Sequence, residues 1–264
     1  MNTIRPAAVA GAFYPADSIS LSAMVGAFLE LAPKQMEVIP KALIVPHAGY
    51  VYSGPIAASA YAQVLDASNK IKRVVLLGPS HRVAVDGLAL PGADAFATPL
   101  GVVPIDMEAV NTLRHLPQIK EIPAAHRMEH SLEVQLPFLQ TVLRDFKLVP
   151  LAVGDATTDE VAEVLDLLWG GEETLILISS DLSHYLPYKS ACETDQMTAN
   201  AIVELRRPIN LHEACGGIPV SGLIKAARDR GLQPRLLDLR NSGDTAGDKS
   251  RVVGYGAFGF YAAH

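Results

Sequence analysis

Residues 174–184 read TLILISSDLSH, an apolar run that ends in two serines, an aspartate and a histidine. Two earlier segments have the same form: ALIVPH at residues 42–47 and RVVLLGPSH at residues 73–81. Runs that are apolar throughout are typical of strands buried on both faces of a parallel sheet. Because amphipathic stretches separate these runs, the pattern predicts an α/β fold with a central, mostly parallel or mixed sheet and helices on both faces.

The same signals extend over most of the chain. Ser53 is the expected N-cap of the helix after the first strand, with Pro55 in its first turn. No linker rich in Ser, Gly and Pro divides the chain and no repeat of ~20–50 residues recurs, so we expect residues 1–264 to form a single domain. The pattern predicts strands at residues 42–46, 73–77, 87–90, 148–153, 174–178, 233–239 and 251–260, a hairpin at 96–105, and helices at 53–65, 131–143, 159–168, 190–205 and 220–230.

The composition argues against several classes of protein. The formal net charge is -6 and the basic residues are scattered, whereas a nucleic-acid-binding protein normally has a basic face. No segment approaches the ~18 apolar residues of a membrane span. The two cysteines, Cys192 and Cys215, are too few for a disulfide framework, which favours a reducing cytoplasm. We therefore expect a cytoplasmic protein without a nucleic-acid or membrane surface.

Histidines follow the ends of the three apolar runs. His47 and His81 each close one run, and His184 lies three residues after Asp181. In open α/β sheets, ligands bind beyond the carboxyl ends of the strands. A single loop histidine is more often a turn or core residue, but three in equivalent positions favour a metal or acid–base site.

Other residues are candidates for the same site. Cys215 comes just before a predicted helix, where a cysteine is more readily a thiolate and can bind metals. His130 and Glu133 lie three residues apart, close enough to share a helix face. A histidine ligand usually donates its other N–H to a carboxylate, for which Asp181 and Glu133 are the candidates. Glu129 and Ser131 have the alternative role of capping this helix.

Seven stretches of the chain resemble the Memo family, component B of the bacterial and archaeal AmmeMemoRadiSam systems. Each motif is short, but together they occur in family order and cover nearly the whole chain. They are RPAAVAGAFYP (5–15), VPHAGYVYSGPIAA (45–58), GPSHR (78–82), EHSLEVQLPFLQ (129–140), SSDLSHY (179–185), ACGGIPV (214–220) and SGDTAGDKSRVVGYGAFGF (242–260).

The resemblance implies a fold similar to class III extradiol dioxygenases, which open catechol rings with O₂ at a non-haem Fe(II) centre. It places the metal ligands at His47, His81 and Cys215, with His184 and Asp181 lining the pocket. Those dioxygenases hold iron with two histidines and a carboxylate, so cysteine is a departure. Thiolate is softer than carboxylate, so we expect Fe(II) or Cu, with Zn as an alternative.

Three functions remain open from the sequence. The first is a metal-dependent redox enzyme acting on a small molecule, with His184 as general acid–base oriented by Asp181. The second is a binding module that accepts a peptide or a small anionic ligand in the same pocket, whose wall would include Tyr52 and Tyr14. The third is a zinc hydrolase. A Cys215–His184 nucleophile pair needs no metal and is a further alternative.

The resemblance also implies partners that no residue specifies. Proteins of the AmmeMemoRadiSam system include a radical SAM protein and an Ammecr-type protein, which we expect as possible partners. The sequence names neither the substrate nor the oligomeric state.

Overall fold

The central sheet is built on parallel strands that are buried along their length. The computed structural model describes residues 3–206 and 208–263. The strands are β1 (Ile4–Arg5), β2 (Ala42–Val45), β3 (Arg73–Pro79), β4 (Leu88–Leu90), β5 (Ala95–Thr98), β6 (Gly101–Pro104), β7 (Ile119–Glu121), β8 (Lys147–Val153), β9 (Thr174–Ser179), β10 (His184–Leu186), β11 (Gln233–Asn241) and β12 (Val252–Tyr261). The helices are α1 (Ser18–Leu31), α2 (Tyr50–Tyr61), α3 (Met107–Leu113), α4 (Pro123–Arg127), α5 (Leu136–Val142), α6 (Thr158–Leu168), α7 (Tyr188–Val203) and α8 (Gly217–Asp229).

The main sheet is mixed. Its strand order is β10-β12-β2-β9-β3-β8-β4-β7, with β11 paired to β12. The four central strands β2, β9, β3 and β8 are parallel, whereas β12 runs antiparallel to β2 and β4 antiparallel to β8. A smaller sheet has the order β1-β5-β6 and contains the predicted hairpin as β5 and β6. The parallel centre places the carboxyl ends of β2, β9 and β3 side by side.

Helices cover both faces of this sheet. Every residue of β2 and β9 is buried, and alternate side chains of a strand point to opposite faces, so neither face is open to solvent. In one group of helices, α6 packs against α8, and α8 contacts β3 and β9. The helices α1, α2 and α5 form another group, in which α2 contacts β2. The α/β fold class with a mixed sheet is therefore confirmed.

The helix after β2 begins earlier than predicted. It starts at Tyr50 with Gly49 as its N-cap, and Ser53, the expected cap, donates its hydroxyl to the carbonyl of Ala48 instead. Long-range contacts explain the shift, because the amide of Tyr50 donates to the carbonyl of Phe13 and its hydroxyl donates to the carbonyl of Val134. Pro55 consequently lies inside the helix rather than in its first turn.

The helix predicted at residues 131–143 is also different. A 3-10 turn, Glu133–Gln135, precedes α5. Pro137 has no amide hydrogen, so a continuous α-helix would lack the bond to the carbonyl of Glu133. The helix predicted at 220–230 begins at Gly217. Helix α1 was not expected from the pattern, because its buried face comprises only Leu21 and Val25.

A buried ion pair holds the N-terminal segment against the body of the fold. The guanidinium of Arg5 pairs with the carboxylate of Glu133 and donates to the carbonyls of His126 and Glu129, at 2.9 and 2.7 Å. Both charged side chains are shielded from water. The carboxylate of Glu133 accepts further hydrogen bonds from the amides of Ala8 (2.8 Å) and Val9 (2.9 Å) and from the hydroxyl of Tyr14 (2.6 Å).

None of the helices within residues 3–206 and 208–263 is both long enough and apolar enough to cross a membrane.

Replacing Glu133 with glutamine is expected to destabilise the protein strongly. The buried charge of Arg5 would lose its counter-ion, which typically costs about 3 kcal/mol or more. Urea unfolding measures this loss. The matched control is Asp86→Asn, which breaks the exposed pair with Lys120 and should change the free energy of unfolding by less than about 1 kcal/mol. Equal effects of the two variants would contradict the role assigned to the buried pair.

Candidate metal centre

The ends of neighbouring strands deliver two of the predicted histidines to one place. His47 follows β2 by two residues and His81 follows β3 by two residues, and β9 lies between these strands. The centroids of the two rings are 5.3 Å apart. Because carboxyl ends of parallel strands share one edge, the sheet itself brings these side chains together. The third histidine of the prediction, His184, begins the strand β10 at the same edge and is exposed.

A third imidazole in the cluster is that of His130. One ligand nitrogen from each of His47, His81 and His130 lies within 4.8 Å of the other two, a spacing that one metal ion can bridge. The ring of His130 stacks on that of His81 with centroids 4.7 Å apart, and lies 5.4 Å from that of His47. His130 comes from the connection between α4 and the 3-10 turn, not from a strand end.

Hydrogen bonding fixes the tautomer of His47. The hydroxyl of Ser179 lies 2.6 Å from the carbonyl of Ser131, which can only accept, so the single hydroxyl proton is donated there. Nδ1 of His47 lies 2.9 Å from the same oxygen and must therefore carry the hydrogen. The lone pair is left on Nε2. Burial, together with the nearby imidazoles of His130 and His81, holds the pKa of His47 well below its ordinary value, so the ring is neutral at physiological pH.

His81 is oriented by a carboxylate. Its Nδ1 lies 2.9 Å from Oε1 of Glu129, and its backbone amide donates to Oε2 at 2.6 Å. Burial opposes the charge of Glu129, but hydrogen bonds from His81 and from backbone amides lower its pKa to about 2. The ionised carboxylate holds the hydrogen of His81 on Nδ1 and leaves Nε2 for a metal, the usual arrangement around histidine ligands.

The ring of His130 has a nitrogen, Nδ1, without a hydrogen-bond partner. It packs on Phe13 with centroids 4.8 Å apart. Its Nδ1 lies 3.3 Å from Oε1 of Glu129 but is not aligned for a hydrogen bond, and this nitrogen is buried without a protein partner. Burial lowers the pKa of His130 to about 4, so the ring is neutral near pH 7. A neutral, half-buried imidazole with an unpaired ring nitrogen suits a metal ligand.

Cys215 lies at the edge of this cluster. Its Sγ is 3.3 Å from Nε2 of His47 and accepts the amide hydrogen of Asp181 at 3.3 Å. Although the residue lies two positions before α8, burial and the negative charge of Asp181 raise the pKa of the thiol. The expectation of a ready thiolate is therefore wrong for the protein without metal. Coordination by Cys215 stays a prediction and would require the loss of a proton.

Asp181 is buried directly behind His47. Its Oδ1 accepts the backbone amide of His47 at 2.7 Å, and burial raises its pKa to about 6. The nearby imidazole of His184 acts in the opposite direction and lowers the pKa of this carboxyl.

The ring of His184 donates from Nδ1 to the carbonyl of Leu182 at 2.8 Å. Tyr52 lies exposed in the first turn of α2. The roles predicted for Asp181, His184 and Tyr52 stay predictions.

The carboxylate that supports the histidines is Glu129, which the sequence had suggested only as a helix cap. It also accepts the backbone amides of His130 and Ser131, both at 2.9 Å. Of the two candidates, Glu133 binds the N-terminal segment instead, and Asp181 accepts the backbone amide of His47. The available sequence signal was the adjacency of Glu129 to His130. The glycine at position 78 is a second sequence signal for this contact. A Cβ atom there would lie only 2.9 Å from Oγ of Ser131, so the close approach of β3 to Ser131 favours glycine.

Known proteins of one family are similar to this chain along nearly its whole length. The family model described as Memo-like protein matches residues 5–258. The chain belongs to the Memo family. A MEMO1 family protein of Aquifex aeolicus is 38% identical over 265 residues, covering 96% of this chain and 97% of the relative. A MEMO1 family protein of Sulfolobus acidocaldarius is 36% identical over 277 residues, with 96% and 97% covered. One from Archaeoglobus fulgidus is 38% identical over 276 residues, with 97% and 99% covered.

One solved structure with a similar arrangement is that of the uncharacterized protein JW3007 from Escherichia coli K12. It is 13% identical, covers 81% of this chain and 98% of its own, and has a TM-score of 0.47. A likeness at this level carries no conclusion about the function of this Memo family member.

Replacing Glu129 with glutamine should destabilise the protein in a pH-dependent way. A carboxylate with a lowered pKa stabilises the folded protein fully at pH values above its ordinary pKa of 4.5. This contribution is lost as the pH falls toward the folded-state pKa of about 2. The difference in unfolding free energy between parent and variant should be largest near neutral pH, roughly 3 kcal/mol, and should narrow in acid. Urea unfolding at several pH values measures it.

The matched control for this prediction is Glu121→Gln. Glu121 forms an exposed ion pair with Arg114. A pH-independent difference for Glu129→Gln, or the same profile in both variants, would contradict the assignment.

Proposed function

We propose that the chain is a metal-dependent redox protein that holds Fe(II) or Cu between His47 and His81 and acts on a small molecule. The observation that carries the proposal is the cluster of three imidazoles whose ligand nitrogens lie within 4.8 Å of one another. The third ligand comes from Cys215, as the sequence suggested, or from His130, which the fold places beside the other two. Family membership supports the proposal, since the motifs shared with the Memo family contain His47, His81 and Cys215.

The residues fit a transition metal. Imidazole nitrogen suits Fe, Cu and Zn, and a nearby thiol favours the softer ions among them. The Nδ1 atoms of His47 and His81 are engaged by Ser179 and Glu129, so Nε2 is the nitrogen that each ring has left for a metal. The orphaned ring nitrogen of His130 is a further unused donor. When bound, Fe or Cu would supply one-electron chemistry and Lewis acidity at this site.

The protein residues around the donors have separate tasks. Glu129 and Ser179 hold the imidazoles in place and keep their hydrogens on Nδ1. Asp181, with a pKa of about 6, can hold a proton or release it close to neutral pH, which is the property required of a general acid–base. His184 is exposed at the same edge and can exchange protons with solvent. The proposed proton path therefore runs from the buried carboxyl of Asp181 to the exposed ring of His184.

The first test is the metal content of protein purified without oxygen. We expect about one equivalent of Fe or Cu in the parent, and loss of most of it in His47→Ala and His81→Ala, because each variant removes one nitrogen ligand. Parallel analysis of Cys215→Ser and His130→Ala identifies the third ligand. Elemental analysis by mass spectrometry is the measurement.

The matched control is His115→Ala, which removes an exposed histidine after α3 and should leave the metal content unchanged. If the parent carries no metal and takes up none on addition of Fe(II), Cu or Zn, the redox proposal is wrong and a metal-free binding pocket takes its place. Stoichiometric zinc with no affinity for Fe or Cu would instead favour a hydrolase.

A second test separates proton transfer from metal binding. His184→Gln should keep the metal but lower metal-dependent O₂ consumption, measured with ascorbate as reductant, by about 10²-fold, since positioned proton transfer contributes at least that much. An oxygen electrode gives the rate. Unchanged consumption in this variant at full metal occupancy would remove His184 from the mechanism. His115→Ala again serves as the control.

A further inference from the structure

A cavity of about 480 Å³ opens beside the proposed metal centre, and its walls are largely apolar. His81 and Cys215 line it on the side of the metal-binding cluster. The remaining wall comes mainly from three segments: the loop after β3, the end of β8 with the residues that follow it, and the residues that lead into and begin α8. Its volume lies within the range of cavities that bind small molecules.

The chemistry of the wall excludes most polar ligands. The apolar lining residues include Val83, Val85, Val153, Leu211, Ile218 and Pro219. The hydroxyl of Ser80, which also lines the cavity, is already donated to the carbonyl of Val83 at 2.7 Å. Among the described lining residues the one carboxylate is that of Asp155, which is exposed. A negatively charged ligand would meet this carboxylate and would find no lysine or arginine among the described lining residues.

Leu211 supplies a second observation. Its side chain is 60% exposed although it borders the cavity, and an apolar side chain at the rim is stabilised when a ligand covers it. By contrast, Val85 and Val153 are buried in the floor. The cavity therefore combines a rigid apolar floor from the sheet with an accessible apolar rim.

We propose that the molecule on which the metal centre acts is a small, uncharged compound whose apolar body lies in this cavity and whose polar head reaches His81 and Cys215. This inference rests on the proposed function, because the head group is placed by the metal site. It goes beyond that function by naming the class of substrate. An anionic peptide or phosphorylated ligand is disfavoured by the same wall.

The test compares 4-phenylimidazole with imidazole as probes, by isothermal titration calorimetry on both metal-free and Zn-loaded protein. Both probes carry the same head group, and only one carries an apolar body. We expect 4-phenylimidazole to bind at least about tenfold more tightly, since burial of roughly 60 Å² of apolar surface accounts for that factor. Leu211→Asp should reduce this ratio by about fivefold or more.

The matched control is Leu31→Asp, because Leu31 is an exposed leucine at the end of α1, remote in sequence from the cavity. Val83→Asp provides a second variant within the wall in case Leu211→Asp perturbs folding, which circular dichroism would reveal. A ratio near one in both forms of the parent, or a ratio unchanged in both wall variants, would overturn the inference. Failure of the parent to bind Zn would count against the metal centre alone, since the ratio in metal-free protein still tests the cavity.

Discussion

The buried carboxylate of Glu129 is the interaction on which the site depends. It accepts hydrogen bonds from the ring and the backbone of His81 and from the amides of His130 and Ser131, and so joins the end of β3 to the connection that follows α4. A carboxylate is costly to bury unless several donors satisfy it. Here most of the donors belong to His81 and His130, the residues whose rings must be fixed if both are to bind one ion. The hydrogen bonds that stabilise the buried charge therefore also position the ligands.

Ser179 performs the corresponding task on the other side of the cluster. Its hydroxyl donates to Ser131 and accepts from Nδ1 of His47 and from the side-chain amide of Gln135. Since Ser131 is also held by Glu129, the supports of His47 and His81 are linked through one residue. The two histidines are thus held by one connected network of hydrogen bonds, buried around His47 and partly exposed at His81, which leaves little freedom for either ring to turn away. Preorganisation of this kind favours metal binding because the ligands need not be ordered when the ion arrives.

The network also explains why the N-terminal segment belongs to the site although none of its residues is a candidate ligand. Arg5 donates to the backbone carbonyl of Glu129 and pairs with Glu133, while Phe13 packs on the ring of His130. The segment therefore closes one side of the cluster. The apolar cavity beside His81 and Cys215 adds a place for a ligand, which a site that only stores a metal would not require.

Much of this arrangement was predictable. The apolar runs that became β2, β3 and β9 indicated a parallel sheet, and strand polarity then required His47 and His81 to lie at one edge. The family was recognised from the motifs. The sequence could not show that Glu129 rather than Glu133 faces the histidines. The two lie only four residues apart, and the chain between them is not helical, since the 3-10 turn begins at Glu133. Strand order was equally hidden, since it depends on contacts between distant segments.

The sequence by itself therefore determined the fold class, the family and two of the histidines, because each of these follows from local pattern or short motifs. Only the tertiary structure decided which tautomer each histidine adopts, that His130 joins the cluster, and that the thiol of Cys215 is protonated. These properties depend on burial and on hydrogen-bond partners more than 30 residues away in the chain, such as Ser179 for His47 and Glu129 for His81. No local pattern encodes them.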